Sequence, residues 1–269
     1  MKVFKFEFLR LQKKVLVWGL LSGIFVFIFM ALFPSMEASG IQELVMEKFD
    51  AFPMEFMEAF GLDTAVNFND LSHYTAYTIQ YIIMAIAVFA IFLGFDSLVL
   101  EESQGTIEFL YAQPLSRKEI FWGKSLSHFL ALVEVVFIVG VLTLFSAYIF
   151  KPVDLGSRQL LVDMLELFAG SLFVTSLYFS LGLVLGSLLH SASGGLAIGL
   201  FFLTYLLGVV ARIKKELDFM RYLSFFDYAL PMDVVRGGLE RNYLVVGGLL
   251  ILAFTLISYH RFGRKNFRI

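Results

Sequence analysis

The sequence contains a long apolar run at residues 15–33, which reads VLVWGLLSGIFVFIFMALF. None of its nineteen residues is charged. A helix needs about 20 mostly apolar residues to cross the hydrocarbon core of a bilayer. Five more stretches meet that requirement, namely 76–95, 129–150, 167–189, 194–211 and 243–259. The sequence therefore predicts an all-α integral membrane protein with six transmembrane helices in one domain over residues 1–269.

Composition supports this fold class. Of the 269 residues, 59% are hydrophobic and 16% are charged, and the mean hydropathy is +0.80. Because soluble domains carry about 25% charged residues, the composition argues against a water-soluble fold. The net charge of −2 gives no sign of nucleic-acid binding. The chain has no cysteine, which removes disulfides, thiolate metal sites and cysteine nucleophiles.

A basic tail precedes the first apolar run, and this is also the pattern of a cleavable signal peptide. Cleavable signals carry about 7 to 15 apolar residues, whereas this run has nineteen. We therefore expect the segment to be retained as the first span.

Lysine and arginine residues predict the orientation, because cytoplasmic segments carry an excess of them. Twelve of the 21 fall in the N-terminal tail, the loop at 96–128 and the C-terminal tail, and nine fall on the opposite side. Six of those nine lie within 212–241, in conflict with the rule. The loop at 34–75 carries eight acids and one lysine, and the first span usually dominates topology. We therefore expect both termini in the cytoplasm.

Three segments outside the spans have patterns of their own. Near the N-terminus, Phe4, Phe8 and Leu11 share one helical face, which predicts an interfacial helix. Apolar residues at helical spacing within 34–75 predict two short amphipathic helices, either a cap over a substrate exit or a covered external face. Residues 222–235 are apolar and aromatic but are broken by Pro231, which predicts a re-entrant or interfacial hairpin before the sixth span.

The loop between the second and third spans, at about 97–125, is the most informative segment. Residues 101–124 read EESQGTIEFLYAQPLSRKEIFWGK. Gly105 permits a close turn, and Pro114 ends a first short helix. Ser116 and Glu119 form the capping box of a second helix. These signals predict two helices separated by a break, the second of which leads into the third span.

This loop resembles that of the type-2 ABC exporter permease family, in which the segment reads Glu-x-x-x-Gly-Thr-(Ile/Leu)-(Glu/Asp)-x-Leu-x-(Ala/Ser)-x-Pro-(aliphatic)-Ser-Arg and then Gly-Lys. Thirteen positions match: Glu101, Gly105, Thr106, Ile107, Glu108, Leu110, Ala112, Pro114, Leu115, Ser116, Arg117, Gly123 and Lys124. The six spans, the N-terminal interfacial helix and the broken hairpin are also similar to that family. The resemblance therefore covers nearly the whole chain.

The resemblance implies that the loop carries a cytoplasmic coupling helix that contacts a separate ATPase subunit. The residues expected at that contact are Glu101, Gly105, Thr106, Ile107, Glu108, Leu110, Pro114, Arg117, Gly123 and Lys124. It also implies export by a pair of permeases, identical or homologous, that work with two ATPase subunits in a prokaryotic cell membrane. Without the resemblance, the same segment is interpreted as a plain solvated connector.

No nucleotide site is visible in the sequence. Gly123, Lys124 and Ser125 imitate the end of a P-loop, but that motif needs a glycine at position 118, which is Lys118. We therefore expect ATP and Mg²⁺ on the partner subunit, and no catalytic residue, cofactor or metal in this chain. The four histidines fall at predicted span ends without a metal-ligand spacing.

Glu134 stands inside the third span, where a carboxylate costs about 2.5 to 3.5 kcal/mol on insertion scales. It is either a residue of the translocation path or a hydrogen-bonded structural acid, and the sequence leaves both interpretations open. The pairs Gly182/Gly186 and Gly195/Gly199 allow close approach of helices, within the chain or in a dimer.

The leading hypothesis is an exporter permease for an amphipathic or lipophilic substrate. An intramembrane enzyme is one alternative, but that class needs converging His, Glu or Ser groups within the spans, and Glu134 has no obvious partner in the sequence. A secondary transporter is the other alternative. It requires inverted repeats or several paired intramembrane charges, and neither is evident.

Overall fold

The computed structural model describes residues 2–38, 67–108, 114–153, 155–191 and 193–266. The α-helices are α1 (Lys2–Ala38), α2 (Leu71–Ser103), α3 (Arg117–Phe150), α4 (Ser157–Leu188), α5 (Gly194–Ile213), α6 (Pro231–Gly237) and α7 (Arg241–Arg264). Two 3-10 helices, Lys215–Leu223 and Phe225–Ala229, lie between α5 and α6. All the α-helices except α6 are long and apolar enough to cross a membrane. The predicted six-span, all-α fold class is confirmed.

Helix α1 joins the predicted interfacial segment to the first span without a break. It has 37 residues, and at about 1.5 Å per residue it is about 55 Å long. Because the hydrocarbon core is about 30 Å thick, a large part of α1 extends beyond it. The amphipathic residues near the N-terminus form the first turns of this one helix.

Spans that are not neighbours in sequence make the main helix pairs. Helix α1 packs on α3, and α2 packs on α4. A Cβ atom at Gly182 would lie 2.2 Å from the carbonyl oxygen of Ile91, and one at Gly94 would lie 2.2 Å from that of Phe179. The Gly182/Gly186 pair therefore serves packing within the chain. Among the described residues, no atom lies within 4 Å of a Cβ built at Gly195 or Gly199.

The bundle has two ends, and ion pairs and hydrogen bonds show which segments share each end. We call one the motif end, because it holds the described parts of residues 2–14, 96–128, 186–191 and 259–266. There Arg10 lies 3.7 Å from Glu101, and the Lys265 ammonium donates to the carbonyl of Gly186 at 3.1 Å. We call the other the far end, where the Ser72 hydroxyl donates to Asp163 at 2.6 Å. Both ends of the described chain therefore lie beside the loop at 101–124.

The broken segment before the last span packs at the far end. Its three short helices cover residues 215–237, and a Cβ at Gly170 of α4 would lie 3.0 Å from the Ala229 side chain. Tyr228 is buried and donates to the carbonyl of Tyr222 at 2.8 Å. Burial raises the pKa of the Tyr228 phenol to about 12, which further favours the protonated form that donates this hydrogen bond.

Internal ion pairs explain part of the conflict between the charge rule and residues 212–241. Asp227 is only 2% exposed, and its carboxylate lies 2.7 Å from the Arg212 guanidinium and 3.6 Å from that of Arg221. Gly208 makes room for this carboxylate, because a Cβ there would lie 2.6 Å from it. A buried carboxylate requires nearby cations, so Arg212 and Arg221 are at the far end to neutralise Asp227.

Candidate functional site

The exit of α2 into the motif loop is shaped by a glycine in the left-handed conformation. Gly105 has φ of 67° and is exposed, with nothing within 4 Å of a built Cβ. The Gly105 N–H donates to the carbonyl of Glu102 at 3.3 Å, and the Thr106 N–H donates to that of Glu101 at 2.8 Å. This arrangement satisfies the last carbonyls of α2 and turns the chain sharply. The glycine is required by the backbone and not by packing.

The entry into α3 has the predicted capping box. The Ser116 hydroxyl accepts from the Glu119 N–H at 3.2 Å, and the Ser116 N–H donates to the Glu119 carboxylate at 2.8 Å. Two of the four N–H groups that lack intrahelical partners at this end of α3 are thereby satisfied. The motif loop is consequently fixed at both described ends.

The structure divides the predicted contact residues into two groups. Gly105, Thr106, Glu108, Pro114 and Arg117 are exposed. Glu101 and Gly123 are half-buried, and Ile107 and Lys124 are buried. Ile107, which the resemblance places at the contact with the partner, is only 5% exposed and is covered by this chain. Leu110, with Tyr111 and Ala112, lies outside the described residues.

A first cluster of charges lies beneath the loop, and we call it the N-terminal ion cluster. It contains Glu7 and Arg10 of α1, Glu101 of α2 and Lys124 of α3. The Lys124 ammonium, 1% exposed, contacts the Glu101 carboxylate and lies 3.4 Å from that of Glu7. Arg10 lies 2.6 Å from Glu7 and 3.7 Å from Glu101. The two acids and two bases balance, which offsets the cost of burying Lys124.

A second cluster, the C-terminal ion cluster, contains Glu102, His190 and Lys265. The Glu102 carboxylate lies 2.8 Å from the Lys265 ammonium and 2.5 Å from Nδ1 of His190. The same ammonium donates to the carbonyl of Gly186 at 3.1 Å, near the end of α4. Glu102 therefore ties the end of α2 to α4, to the segment before α5 and to the tail after α7.

Glu101 and Glu102 reach different clusters because consecutive residues of a helix point about 100° apart. One acid faces α1 and α3, and the other faces α4 and the C-terminal tail. The sequence motif contains only Glu101. Neighbouring acids at the end of a span, together with Glu7 as the only acid before Glu37, were signals that could have predicted internal ion pairs here.

Arg117, the arginine of the motif, also makes contacts inside the chain. Its Nη1 donates to the carbonyls of Gly263 at 2.9 Å and Lys265 at 3.0 Å. Carbonyls at a helix C-terminus lack partners within the helix, and arginine is a common donor to them. Arg117 therefore joins the start of α3 to the end of α7. Gly123 joins α3 to α1 in a similar way, since a Cβ there would lie 3.1 Å from Val3.

Glu134 has a partner that the sequence did not reveal. Nε2 of Gln12 donates to its carboxylate at 2.9 Å, across the contact between α1 and α3. The side chain is half-buried. This hydrogen bond is what the interpretation of a structural acid requires, and a role in the translocation path stays a prediction.

The described residues at the motif end give little support for catalysis or metal binding. Within the described ranges, no group of three or more His, Cys, Asp or Glu side chains could hold a metal ion. The clusters join acids to bases from separate helices, which is an arrangement that positions helices. It provides neither a nucleophile next to a base nor a set of metal ligands.

These features define a multi-pass α-helical membrane protein whose helix ends are joined beneath one loop motif. The chain matches the ABC-2 family transporter protein model over residues 1–267 and belongs to that family. A comparison with curated proteins gave no match. The protein is therefore a membrane component of a transporter and is not itself the catalytic part.

Proposed function

We propose that this chain is the permease subunit of an ATP-driven exporter and that the loop at 101–124 couples it to a separate ATPase. Two permeases, identical or homologous, would form the translocation path with two ATPase subunits, which bind the ATP and Mg²⁺. The motif end would face the cytoplasm of a prokaryotic cell, with both termini on that side.

The observation that carries this proposal is that the exposed edge of the loop rests on two ion clusters whose central residues, Lys124 and Glu102, are buried. Gly105, Thr106 and Glu108 are exposed, while Glu101 and Glu102, just before them, are tied to four other helices or their ends. Charge-assisted contacts of this kind are short and directional. A displacement of the loop by a partner would therefore move α1, α3, α4 and α7 along with α2.

The contact with the partner would be made by the polar edge of the loop. Glu108 and Thr106 are available for hydrogen bonds and charge pairing, and electrostatic complementarity at such an edge fixes orientation. Ile107 stabilises the loop from within the chain. Arg117, Lys124 and Glu101 act by positioning the loop.

The test is stimulation of ATP hydrolysis in proteoliposomes that contain the ATPase and the permease. Glu108→Lys is expected to lower the stimulation about tenfold, which corresponds to about 1.4 kcal/mol of lost contact. Gly105→Val is expected to have a similar effect, because a β-branched residue at this φ costs about 1 to 3 kcal/mol.

Glu216→Lys is the matched control, since Glu216 is exposed at the far end and undergoes the same change of charge. It should leave stimulation and co-purification of the ATPase unchanged. Normal stimulation by both loop variants, together with normal transport, would show that the loop is a plain connector.

A further inference from the structure

A cavity of about 290 Å³ lies at the motif end, between the first turns of α3 and the last turns of α7. Four of the side chains that line it are basic or can become cationic, and they are Arg117, Lys118, His260 and Arg264. No acid is among the described residues that line it. At about 30 Å³ for each water-sized group, the cavity has room for about ten such groups.

The floor of the cavity is aromatic and rigid. Phe121 is fully buried, and its ring lies 5.3 Å from that of Tyr259 in an edge-to-face arrangement. The ring of the exposed Trp122 lies 5.9 Å from that of Tyr259. Trp and Tyr are enriched where a bilayer meets water, because their rings are apolar at one side and polar at the other. The aromatic floor indicates that the cavity lies at the level of the lipid headgroups.

Exposed apolar side chains lead from the spans to this cavity. On α3 they are Trp122, Leu126 and Leu130, which are spaced by four residues and therefore share one face. On α7 they are Leu252 and Leu256. Because these exposed faces lie in helices long enough to cross a membrane, we expect acyl chains to cover them. A lipid whose acyl chains cover these faces would therefore have its headgroup at the cavity.

The basic side chains differ in the hydrogen-bond and ion-pair partners that they already have. Arg117 already donates to two backbone carbonyls. In the described part of the chain, Lys118 and Arg264 take part in no ion pair, and both are exposed. The nearest acid along the sequence, Glu119, is held by the capping box through the Ser116 N–H and hydroxyl. The cavity therefore keeps a positive potential.

We propose that this cavity binds the phosphate headgroup of an anionic phospholipid. Basic pockets between transmembrane helices at the cytoplasmic side are suited to such headgroups, and arginine matches the geometry of phosphate oxygens. Lys118 and Arg264 hold the phosphate, and Arg117 orients it while it bridges α3 and α7. The bound lipid stabilises the junction of these two helices. This inference rests on the proposed cytoplasmic placement of the motif end and not on the proposed coupling to an ATPase.

The experiment uses the purified full chain in a neutral detergent, titrated with phosphatidylglycerol, phosphatidylcholine or inorganic phosphate. The Tm of the parent is expected to rise with phosphatidylglycerol only, and the rise should shrink as salt screens the charges. In the double variant Lys118→Gln/Arg264→Gln, the apparent affinity for phosphatidylglycerol should fall on the order of thirtyfold, since each basic contact contributes about fivefold.

The matched control is Lys5→Gln/Lys13→Gln, which removes two exposed charges at the same end of the bundle but away from the cavity. It should keep the parental affinity. An equal loss of affinity in both double variants would show that binding depends on the total charge of the protein and not on this cavity. That result would overturn the proposed site. A Tm rise with inorganic phosphate equal to that with phosphatidylglycerol would overturn the lipid as the source of the phosphate.

The remaining outcome concerns a protein partner at the same place. If Lys118→Gln/Arg264→Gln abolishes co-purification of the ATPase while phosphatidylglycerol still raises its Tm as in the parent, the cavity receives an acidic protein surface. That result would overturn the lipid assignment.

Discussion

At the scale of single residues, Lys124 shows how a motif position can be required without contacting a partner. Its ammonium is 1% exposed and lies between the carboxylates of Glu7 and Glu101. A buried cation with two carboxylate partners holds three helices in one arrangement. Removing this cation destabilises the protein mainly because the carboxylates of Glu7 and Glu101 then lack their buried partner.

We expect Lys124→Met to destabilise the protein by about 3 kcal/mol, because it leaves two partly buried carboxylates with only Arg10 to balance them. The measurement is the Tm of purified protein in detergent. Lys13→Met, an exposed lysine of α1, is the control and should have a parental Tm. Adding Glu7→Gln to Lys124→Met should restore part of the loss. Equal Tm values for Lys124→Met and the control would contradict the role of the N-terminal ion cluster.

At the scale of helices, glycines decide how closely α2 and α4 approach. Gly182 faces the carbonyl of Ile91, and Gly94 faces that of Phe179, so backbone meets backbone at both positions. Gly199 in α5 has the same type of sequence context, but no described atom is near it. The two glycines therefore give opposite expectations for the same substitution.

Gly182→Ala is expected to destabilise the protein by about 1 to 3 kcal/mol, because the added methyl would lie 2.2 Å from a backbone oxygen and must separate the helices. Gly199→Ala is expected to be neutral or to stabilise by up to about 1 kcal/mol, since alanine has the higher helix propensity. Thermal unfolding in detergent compares the two. A Tm for Gly182→Ala at or above that of Gly199→Ala would show that α2 and α4 are not in this close contact.

What the sequence predicted at this scale depended on local signals. Apolar runs predict spans, and Ser116 with Glu119 predicts a helix start, because both patterns lie within one or a few helical turns. The ion clusters join residues as distant as Glu7 and Lys124, and no local rule pairs them. The burial of Ile107 was not predicted, because a motif position does not tell whether its apolar side chain meets this chain or another.

At the scale of the whole molecule, the distribution of charge between the two ends is the feature that sets orientation. The loop at 34–75 is acidic, and its described flanks lie at the far end together with residues 212–241. Within 212–241, two arginines pair with the buried Asp227, and the segment also contains Glu216, Asp218, Asp233 and Glu240. The sequence count of six basic residues overstated the charge that this segment presents to water.

The chain has no cysteine, so single introduced cysteines can test this arrangement in intact cells. We expect a membrane-impermeant thiol reagent to label Asn69→Cys and Glu216→Cys but not Gln104→Cys, because all three positions are exposed and only the first two lie at the far end. All three should label after the cells are permeabilised, which controls for reactivity. Labelling of Gln104→Cys alone would reverse the orientation but keep the fold, since the far end would then be cytoplasmic. Labelling of Glu216→Cys together with Gln104→Cys would instead contradict the packing of the broken segment against α2 and α4 at the far end, because residues at opposite ends of a spanning bundle cannot face the same side of the membrane.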